Sequence, residues 1–399
     1  MNLSSLLQRF NEPETLKMAK LGRELRANGI SITDLSLGEP DFNTPQHIKD
    51  AAKQAIDENY SHYTPVPGYL DVRQAVCEKL LRDNQLHYLP EQIVVSTGAK
   101  QSIANIVLSI VDVGDEVVIP TPYWVTYSAI VQLAGGKVNF VKTKPEAGFK
   151  ILPDQLRAAL NSNTKLFMFS SPCNPSGAVY TFTELEALAE VFKDFPDVFI
   201  MSDEIYEHIN FEGNHASIAA IPALKERVII VNGLSKGFAM TGWRLGYIAA
   251  PLQVAKACEK IQGQFTSGAN SITQRAAITA LGDTLAPTHE MVAQFKARRN
   301  LMMELLSTIP NISCVTPPGA FYVFPDVHFY FGKYTPNGEL IQNADDLSMY
   351  FLNTAHVSVV TGKAFGEENC IRISFATSMD NINEGLKKIK FALAALQEK

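Results

Sequence analysis

The fold is decided by residues 227–236, RVIIVNGLSK, in which a short apolar run leads to Lys236. The run from Val228 to Val231 is entirely β-branched and is followed by Asn232 and Gly233, so it predicts a buried strand that ends in a turn. Lys236 then lies at the C-terminal edge of that strand, where open α/β sheets bind their ligands. A single lysine is ordinarily a solvated surface charge, so its interpretation depends on what the other strands carry.

Four other apolar runs also end in polar or aromatic side chains. They are residues 92–95 with Gly98, Ala99 and Lys100, residues 116–120 with Trp124, residues 166–169 with Asn174, and residues 198–201 with Asp203 and Tyr206. Each motif has an ordinary interpretation as well, for example Asp203 as a helix N-cap. Five such strand ends at one edge of a sheet are hard to explain by turns and packing alone, and together they indicate a binding site there.

Composition and charge favour a globular protein that acts on small molecules. The chain has 399 residues, which is more than one hydrophobic core usually takes, so two lobes are expected. The net charge of −6 provides no basic surface, so neither nucleic acid nor an anionic membrane is an expected partner. The five cysteines are scattered and form no C-x-x-C pair, which argues against a disulfide framework or a zinc site.

The order of the patterns along the chain predicts an α/β protein. Short apolar runs alternate with helical patterns such as residues 183–192, which indicates βαβ units and a mostly parallel sheet. From about residue 285 the pattern changes to a long charged helix and short strands, which predicts a smaller α+β domain. No P-loop and no G-x-G-x-x-G motif follows a strand, so nucleotide binding is disfavoured. No signal sequence or apolar run of about 18 residues is evident, so we expect a cytoplasmic protein.

In their order along the chain these motifs resemble those of the fold-type I pyridoxal phosphate (PLP) aminotransferases, and within them the aspartate aminotransferase branch that is widespread in bacteria. The resemblance runs nearly end to end and includes residues 37–42, LGEPDF, 63–68, YTPVPG, 319–323, GAFYV, and 371–378, IRISFATS. It implies a large PLP-binding domain over residues 46–284, with a mostly parallel seven-stranded sheet between helices. Residues 1–45 and 285–399 would form the small α+β domain, with the active site in the cleft between the two.

The resemblance implies that the strand-end residues bind PLP. Lys236 would form a Schiff base with the cofactor and would later, as a neutral amine, carry the proton during transamination. Asp203 would pair with the pyridine nitrogen. Tyr206 and Asn174 would hydrogen-bond the phenolate oxygen of the cofactor, and Trp124 would stack on its ring.

For the cofactor phosphate, the resemblance implies a pocket at the start of a helix, where backbone amides and a guanidinium bind an anion. The expected contacts are Gly98, Ala99, Lys100, Ser235 and Arg244, with Tyr63 supplied by the other subunit. The family often has a serine three residues before the lysine, and this chain has Gly233 there. One hydroxyl contact to the phosphate is therefore in question, although Ser235 lies nearby.

The substrate site is also assigned through the resemblance. Arg372 would bind the α-carboxylate beside Gly38, Asn174 and Trp124, because a planar guanidinium suits a carboxylate. The alternation of residues 371–375 independently predicts that Arg372 projects opposite to the neighbouring isoleucines, away from the core and into the cleft.

Recognition of a second carboxylate is expected to follow the bacterial branch. In another subgroup, an arginine of the neighbouring subunit binds the distal carboxylate. Residues 262–270, where that arginine would stand, contain none, so this mode of recognition is excluded. Lys100 and Thr15 stand where the bacterial branch reads the distal carboxylate. Members that accept prephenate carry a basic residue near the N-terminus, where this chain has Asn11, so prephenate is ranked lower.

The expected activity is transfer of the amino group of L-aspartate to 2-oxoglutarate, giving oxaloacetate and glutamate, in a homodimer with shared active sites. The partners are then small amino acids and 2-oxo acids. An aminotransferase for aromatic or small neutral amino acids is the alternative on the same scaffold, because fold alone does not distinguish substrates. A PLP lyase or a non-catalytic regulator of this fold is less favoured, since the whole set of cofactor residues is present.

Overall fold

The protein is described by a computed structural model that covers residues 3–10 and 14–398. Its strands are β1 Thr33–Asp34, β2 Ile93–Ser96, β3 Glu116–Thr121, β4 Lys137–Lys142, β5 Thr164–Ser170, β6 Phe199–Asp203, β7 Val228–Gly233, β8 Gly246–Ala249, β9 Tyr322–Val323, β10 Val357–Ser358, β11 Val360–Thr361 and β12 Ile371–Ser374. Its helices are α1 Glu14–Ala27, α2 Gln46–Asp57, α3 Leu70–Asn84, α4 Ala99–Ile110, α5 Thr126–Ala134, α6 Pro153–Ala159, α7 Phe182–Phe192, α8 Leu252–Phe265, α9 Ser271–Gly282, α10 Ala286–Ser307, α11 Ala344–Tyr350 and α12 Met379–Ala394.

A seven-stranded sheet organises the larger part of the chain, as predicted. Its strand order is β2-β8-β7-β6-β5-β3-β4, and β8 is antiparallel to both of its neighbours while the other strands are parallel to one another. The C-terminal ends of six strands therefore share one edge. The start of β8 lies at that edge too, because β8 runs in the opposite direction.

Both faces of this sheet are covered by helices. Val228 and Ile230 of β7 belong to a buried cluster that includes side chains of α2, α3, α7 and α9. The alternate residues Ile229 and Val231 belong to a second cluster, with side chains of α4, α5 and α8. Burial on both faces explains why these strands are continuous apolar runs without alternating polar residues.

One local prediction is wrong: Asn232 and Gly233 do not form a turn. They extend β7 and pair with Tyr247 and Gly246 of β8. An Asn-Gly hairpin turn needs positive φ at both residues, and neither residue has it here. The ladder with β8 satisfies the backbone, and the side-chain amide of Asn232 donates to Glu207 at 2.9 Å, so the extended conformation is favoured.

A third buried cluster is formed mainly by side chains from the C-terminal part of the sequence. It combines Leu35 with α10, α12 and strands β9, β10 and β12. β1 pairs in parallel with β10, so the N-terminal segment packs on the C-terminal part of the chain. Tyr206, Ile209 and Phe211 also belong to this cluster, and the domain bounds 46–284, with 1–45 and 285–399, stay a prediction. None of the helices in residues 3–10 and 14–398 is both long and apolar enough to cross a membrane.

Candidate active site

A cavity of about 390 Å³ lies at the C-terminal edge of the sheet, between the sheet and the third cluster. This volume is in the range of small-molecule sites. The five strand ends singled out in the sequence meet in it. The predicted residues that line it are Gly38, Ala99, Lys100, Trp124, Asn174, Asp203, Tyr206, Ser235, Lys236, Arg244 and Arg372.

Lys236 comes three residues after the end of β7, and its side chain lines the cavity. Its Nζ donates a hydrogen bond to the backbone oxygen of Gly38 at 2.6 Å. Burial lowers the pKa of Lys236 to about 8, and the nearby cations Arg372 and Arg244 act in the same direction, while the carboxylate of Glu39 opposes them. The amine is therefore closer to its neutral, nucleophilic form than an ordinary lysine.

Asp203 is the last residue of β6 and is 4% exposed. Its Oδ2 accepts a hydrogen bond from the hydroxyl of Tyr127 at 2.6 Å. Burial raises the pKa of Asp203 to about 6, and the hydrogen bond from Tyr127 only partly offsets that effect. Asp203 forms no ion pair within the part of the chain that the structure describes, so it is available to a cationic group of a ligand.

Arg372 is a buried cation on β12. Its Nη1 donates to Oδ1 of Asn174 at 3.0 Å, and its Nη2 donates to the backbone oxygen of Ser36 at 2.7 Å. Its Nε is buried and has no hydrogen-bond partner among residues 3–10 and 14–398. No carboxylate pairs with this guanidinium in the same ranges. A buried arginine with a free donor and no counter-ion is suited to binding an anion.

The predicted direction of Arg372 is only half right. The side chain does enter the cavity, but it is 2% exposed and therefore belongs to the interior of the protein. The guanidinium carbon lies 4.5 Å from the ring centroid of Tyr322 and 5.0 Å from that of Phe365. Aromatic faces on this side replace the water that an exposed arginine would have.

The start of α4 and Arg244 form one end of the cavity. Gly98 precedes α4 with φ +84°, and a Cβ there would come within 2.5 Å of Nη2 of Arg244. Gly98 thus lets the guanidinium lie against the first turn of the helix, where backbone amides and the helix dipole favour an anion. At Gly233 a Cβ would meet the backbone of Leu245 and Gly246 at 2.8 Å, which explains why a serine is disfavoured there.

Lys100 and Trp124 form the mouth of the cavity. Nζ of Lys100 lies 5.1 Å from the ring centroid of Trp124, and the side chain of Lys100 is exposed. The partial burial of the amine and the nearby Arg244 lower the pKa of Lys100. The lysine forms no ion pair with the described residues, so its charge is free to meet a ligand.

Two of the predicted residues, Tyr63 and Gly98, are not among those that line this cavity. Tyr63 is 97% exposed and does not line it. Thr15 falls in helix α1, but its side chain lies outside the described residues, as does all of Asn11. Gly98 does not line the cavity itself, but it packs against Arg244, which does.

Sequence reasoning missed several residues of the site. Tyr127 lies one helical turn after Trp124, so its position on α5 was the available signal. Tyr322 lies within the matched segment 319–323, although no role was assigned to it. Glu39 also lines the cavity and accepts a hydrogen bond from the hydroxyl of Thr241 at 2.7 Å.

The charges of the cavity favour an anionic ligand. Among the residues that the structure describes, its lining contains four cations, Lys100, Lys236, Arg244 and Arg372, and two carboxylates, Glu39 and Asp203. A cavity with this excess of positive charge attracts ligands that carry phosphate or carboxylate groups.

Comparison with known proteins identifies the family. Residues 30–389 match the family model described as aminotransferase class I and II. The chain belongs to that family. This aminotransferase is 43% identical to the aspartate/prephenate aminotransferase of Nitrosomonas europaea, over 99% of this chain and 100% of the relative. It is 41% identical to the aspartate aminotransferase of Bacillus subtilis, over 98% of both chains.

Solved structures show the same fold for this aminotransferase. The aspartate aminotransferase from Rhizobium meliloti has a TM-score of 0.96 and 38% identity, over the full length of both chains. The aspartate aminotransferase from Thermus thermophilus with maleate has a TM-score of 0.92 and 36% identity, over 98% of this chain and 100% of that one. The prediction of an α/β aminotransferase with a mostly parallel seven-stranded sheet is confirmed.

Proposed function

We propose that this aminotransferase uses PLP held by Lys236 and transfers the amino group of L-aspartate to 2-oxoglutarate, giving oxaloacetate and glutamate. The observation that carries the proposal is the presence, in one cavity, of a lysine amine with a lowered pKa and a buried guanidinium with a free donor. The first suits covalent attachment of an aldehyde cofactor, and the second suits binding of a substrate carboxylate.

The residues present fit PLP. When bound, PLP supplies an electron sink that stabilises negative charge at the substrate Cα. Lys236 would hold the cofactor covalently, and the buried carboxylate of Asp203 would pair with its ring nitrogen. The first turn of α4 and Arg244 would bind the phosphate, with Gly98 providing the space that a Cβ would fill.

The side chains of the protein then bind the substrate and move the proton. Arg372 binds the α-carboxylate, and Asn174, which already accepts from Arg372, fixes the direction of the guanidinium. Lys236 Nζ would carry the proton between the substrate Cα and the cofactor. With a pKa of about 8, roughly a tenth of the free amines are neutral at pH 7. The hydroxyl of Tyr206 would donate a hydrogen bond to the phenolate oxygen of the cofactor, and Trp124 would cover its ring.

The preference for aspartate rests on Lys100. It is a cation that lines the cavity, is exposed and holds no ion pair among the described residues, so it is available to a charged group on a substrate side chain. A second carboxylate would match it, whereas a neutral side chain would leave the ammonium without a partner. Thr15 stays a predicted second contact.

Prephenate is the second candidate substrate. Several relatives, including those of Nitrosomonas europaea and Cereibacter sphaeroides, are named aspartate/prephenate aminotransferases. Prephenate also carries two carboxylates, so Arg372 and Lys100 suit it equally well on charge. Aromatic amino acids have one observation in their favour, since an aromatic aminotransferase from Pyrococcus horikoshii shares the fold with a TM-score of 0.86 and 37% identity, but an aromatic side chain would leave Lys100 without a partner. Small neutral amino acids, a PLP lyase and a non-catalytic regulator have no comparable observation.

We also propose a homodimer in which each active site is completed by the other subunit. Tyr63 is 97% exposed, and the segment that follows it is restricted, because Pro65 and Pro67 fix their own φ angles and limit Thr64 and Val66. A phenol that projects from a rigid segment is suited to enter the phosphate site of a neighbouring subunit.

Borohydride reduction followed by peptide mapping tests the cofactor assignment. Purified protein supplied with PLP should carry the reduced label on Lys236. Label on another lysine, or no label, would contradict the proposal. Steady-state rates with a panel of amino donors, and with 2-oxoglutarate and prephenate as acceptors, then identify the substrates. Aspartate should have the largest kcat/KM among the donors.

A further inference from the structure

Tyr322 is a fully buried side chain that lines the cavity beside two of the proposed functional residues, Tyr206 and Arg372. It lies on β9, which pairs with β12 so that Tyr322 is opposite Ser374. Paired residues share a face of the sheet, as do residues two apart, so Tyr322 is on the same face as Arg372. This register places the tyrosine ring beside the guanidinium.

Three of the proposed functional residues surround Tyr322. Its hydroxyl lies 2.8 Å from the hydroxyl of Tyr206. Its ring centroid lies 4.5 Å from the guanidinium carbon of Arg372. A Cβ on Gly38 would come within 3.1 Å of the Tyr322 hydroxyl, so this hydroxyl also lies against the segment whose carbonyl binds Lys236.

The direction of the hydrogen bond between the two tyrosines depends on what Tyr206 faces. Either oxygen is a possible donor. If Tyr206 donates its proton to an anionic oxygen of the cofactor, its own oxygen is left to accept, and Tyr322 becomes the donor. Hydrogen bonds in such a chain polarise one another, so donation by Tyr322 makes Tyr206 a stronger donor.

The ring of Tyr322 acts on a different residue. Arg372 is buried without a carboxylate partner in the described ranges, and its charge is stabilised in part by the aromatic face beneath it. The ring also fixes the plane of the guanidinium. Within that plane, the hydrogen bonds from Nη1 to Asn174 and from Nη2 to Ser36 fix its direction.

We propose that Tyr322 is a positioning residue with two separable parts, a hydroxyl that strengthens Tyr206 as a hydrogen-bond donor and a ring that orients Arg372 for the substrate carboxylate. This inference rests on the proposed use of PLP. The hydroxyl part affects the electronic state of the cofactor, and the ring part affects carboxylate affinity. Two different substitutions at this position therefore have different expected effects.

Tyr322→Phe removes the hydroxyl and keeps the ring. Tyr206 then donates more weakly, the phenolate oxygen keeps more of its electron density, and the nitrogen that joins Lys236 to the cofactor holds its proton to higher pH. The absorbance titration of the bound cofactor should shift upward by about half a unit, which is less than the shift caused by Tyr206→Phe. The KM values for amino donors should stay close to those of the wild type.

Tyr322→Leu removes both parts. It should give the same spectral shift and, in addition, raise the KM for all amino donors roughly tenfold, because Arg372 keeps only the ring of Phe365 and loses the nearer of its two aromatic faces. Tyr350→Phe is the matched control, since Tyr350 is 6% exposed and its hydroxyl donates to the backbone oxygen of Ala392 at 3.1 Å, away from the cavity. It should leave the titration unchanged.

The double variant Tyr206→Phe/Tyr322→Phe decides whether Tyr322 acts through Tyr206. If it does, adding Tyr322→Phe to Tyr206→Phe produces no further spectral shift. A fully additive shift, or a Tyr322→Phe titration equal to that of the wild type, would overturn the hydroxyl part. Equal KM values for Tyr322→Phe and Tyr322→Leu would overturn the ring part. Failure of the wild-type protein to bind PLP at Lys236 would instead refute the proposed function itself.

Discussion

At the scale of single residues, Asp203 shows a conflict between stability and function. Its pKa is raised to about 6, whereas an aspartate in the unfolded chain titrates near 3.9. The folded protein thus holds the proton more tightly than the unfolded chain does. The contribution of the protonated group to stability is complete below pH 3.9 and is lost as the pH rises through about 6. At neutral pH a buried, ionised carboxylate therefore destabilises the cofactor-free protein.

Asp203→Asn should stabilise the cofactor-free protein while weakening PLP binding. Two pKa units correspond to about 3 kcal/mol in the free energy of unfolding at pH 8, and about half of that at pH 5. Urea denaturation of both proteins at the two pH values measures the difference. Tyr127→Phe is the companion variant, because loss of the donated hydrogen bond should raise the pKa of Asp203 further and lower the stability at pH 8. An equal gain from Asp203→Asn at both pH values would contradict the argument.

Lys100→Ala should separate acidic from neutral substrates. The substitution removes a charge-assisted contact worth roughly 1.5–3 kcal/mol, so kcat/KM for aspartate should fall about ten- to a hundredfold. The values for alanine and phenylalanine should change much less, and these donors serve as the internal control. Equal losses on all donors would assign Lys100 to the cofactor phosphate.

The sequence predicted most of the residues of the site, because each of them follows a strand or begins a helix in a recognisable pattern. It did not predict the contacts of Tyr127 and Tyr322. The hydroxyl of Tyr127 meets Asp203, which is 76 positions away along the chain, and the hydroxyls of Tyr206 and Tyr322 are 116 positions apart. Pairings of this kind depend on how separate elements pack, and local periodicity carries no information about them.

At the scale of elements, the strands β7 and β8 show how a neighbouring backbone decides a conformation. The mostly parallel sheet and its helices followed from apolar runs and helical spacing, whereas the number of strands, seven, was implied by the resemblance. The end of β7 did not, because Asn232 and Gly233 favour a turn in isolation and are held extended by β8. The antiparallel direction of β8 itself has no signature in its four residues. In both cases the decisive interaction lies in an adjacent strand.

Gly98→Ala should weaken binding of PLP by disrupting the phosphate end of the cavity. The new Cβ would collide with Arg244, and φ of +84° is unfavourable for alanine. Fluorescence titration should show a higher Kd for PLP and little change for pyridoxal, which lacks the phosphate. Gly114→Ala is the matched control, because Gly114 has φ +94° and no atom within 4 Å of an added Cβ.

The control bears the same backbone strain without the collision. Gly114→Ala should therefore lower stability but leave the Kd for PLP unchanged. If the two variants weakened PLP equally, or if Gly98→Ala weakened pyridoxal as much as PLP, the contact between α4 and Arg244 would not be the cause.

At the scale of the whole molecule, the proposed dimer explains an exposed tyrosine that the single chain leaves without a function. Tyr63 belongs to a matched segment, yet it is among the most exposed side chains that the structure describes. Pre-ordering by the two prolines that follow it reduces the conformational entropy lost when another subunit binds it. An isolated subunit would then have an incomplete phosphate site.

Mixing two inactive variants tests this arrangement. Tyr63→Ala and Lys236→Ala homodimers should each have little activity. After subunit exchange, a heterodimer holds one site with both lesions and one site with neither. Activity should therefore return toward about a quarter of the wild-type value if exchange is random. No recovery, although mass spectrometry shows that heterodimers have formed, would mean that Tyr63 serves its own subunit.

The excess of positive charge in the cavity has a practical consequence for the choice of buffer. Four cations and two carboxylates of the described ranges line one cavity, so simple oxyanions should compete for the same positions as the ligands. Protein freed of its cofactor should melt at a higher temperature in phosphate than in a zwitterionic buffer of equal ionic strength, because an anion that binds only the folded state stabilises it. It should also regain PLP more slowly there. A thermal shift that depends on ionic strength alone, and not on the anion, would show that the charges act only through general screening.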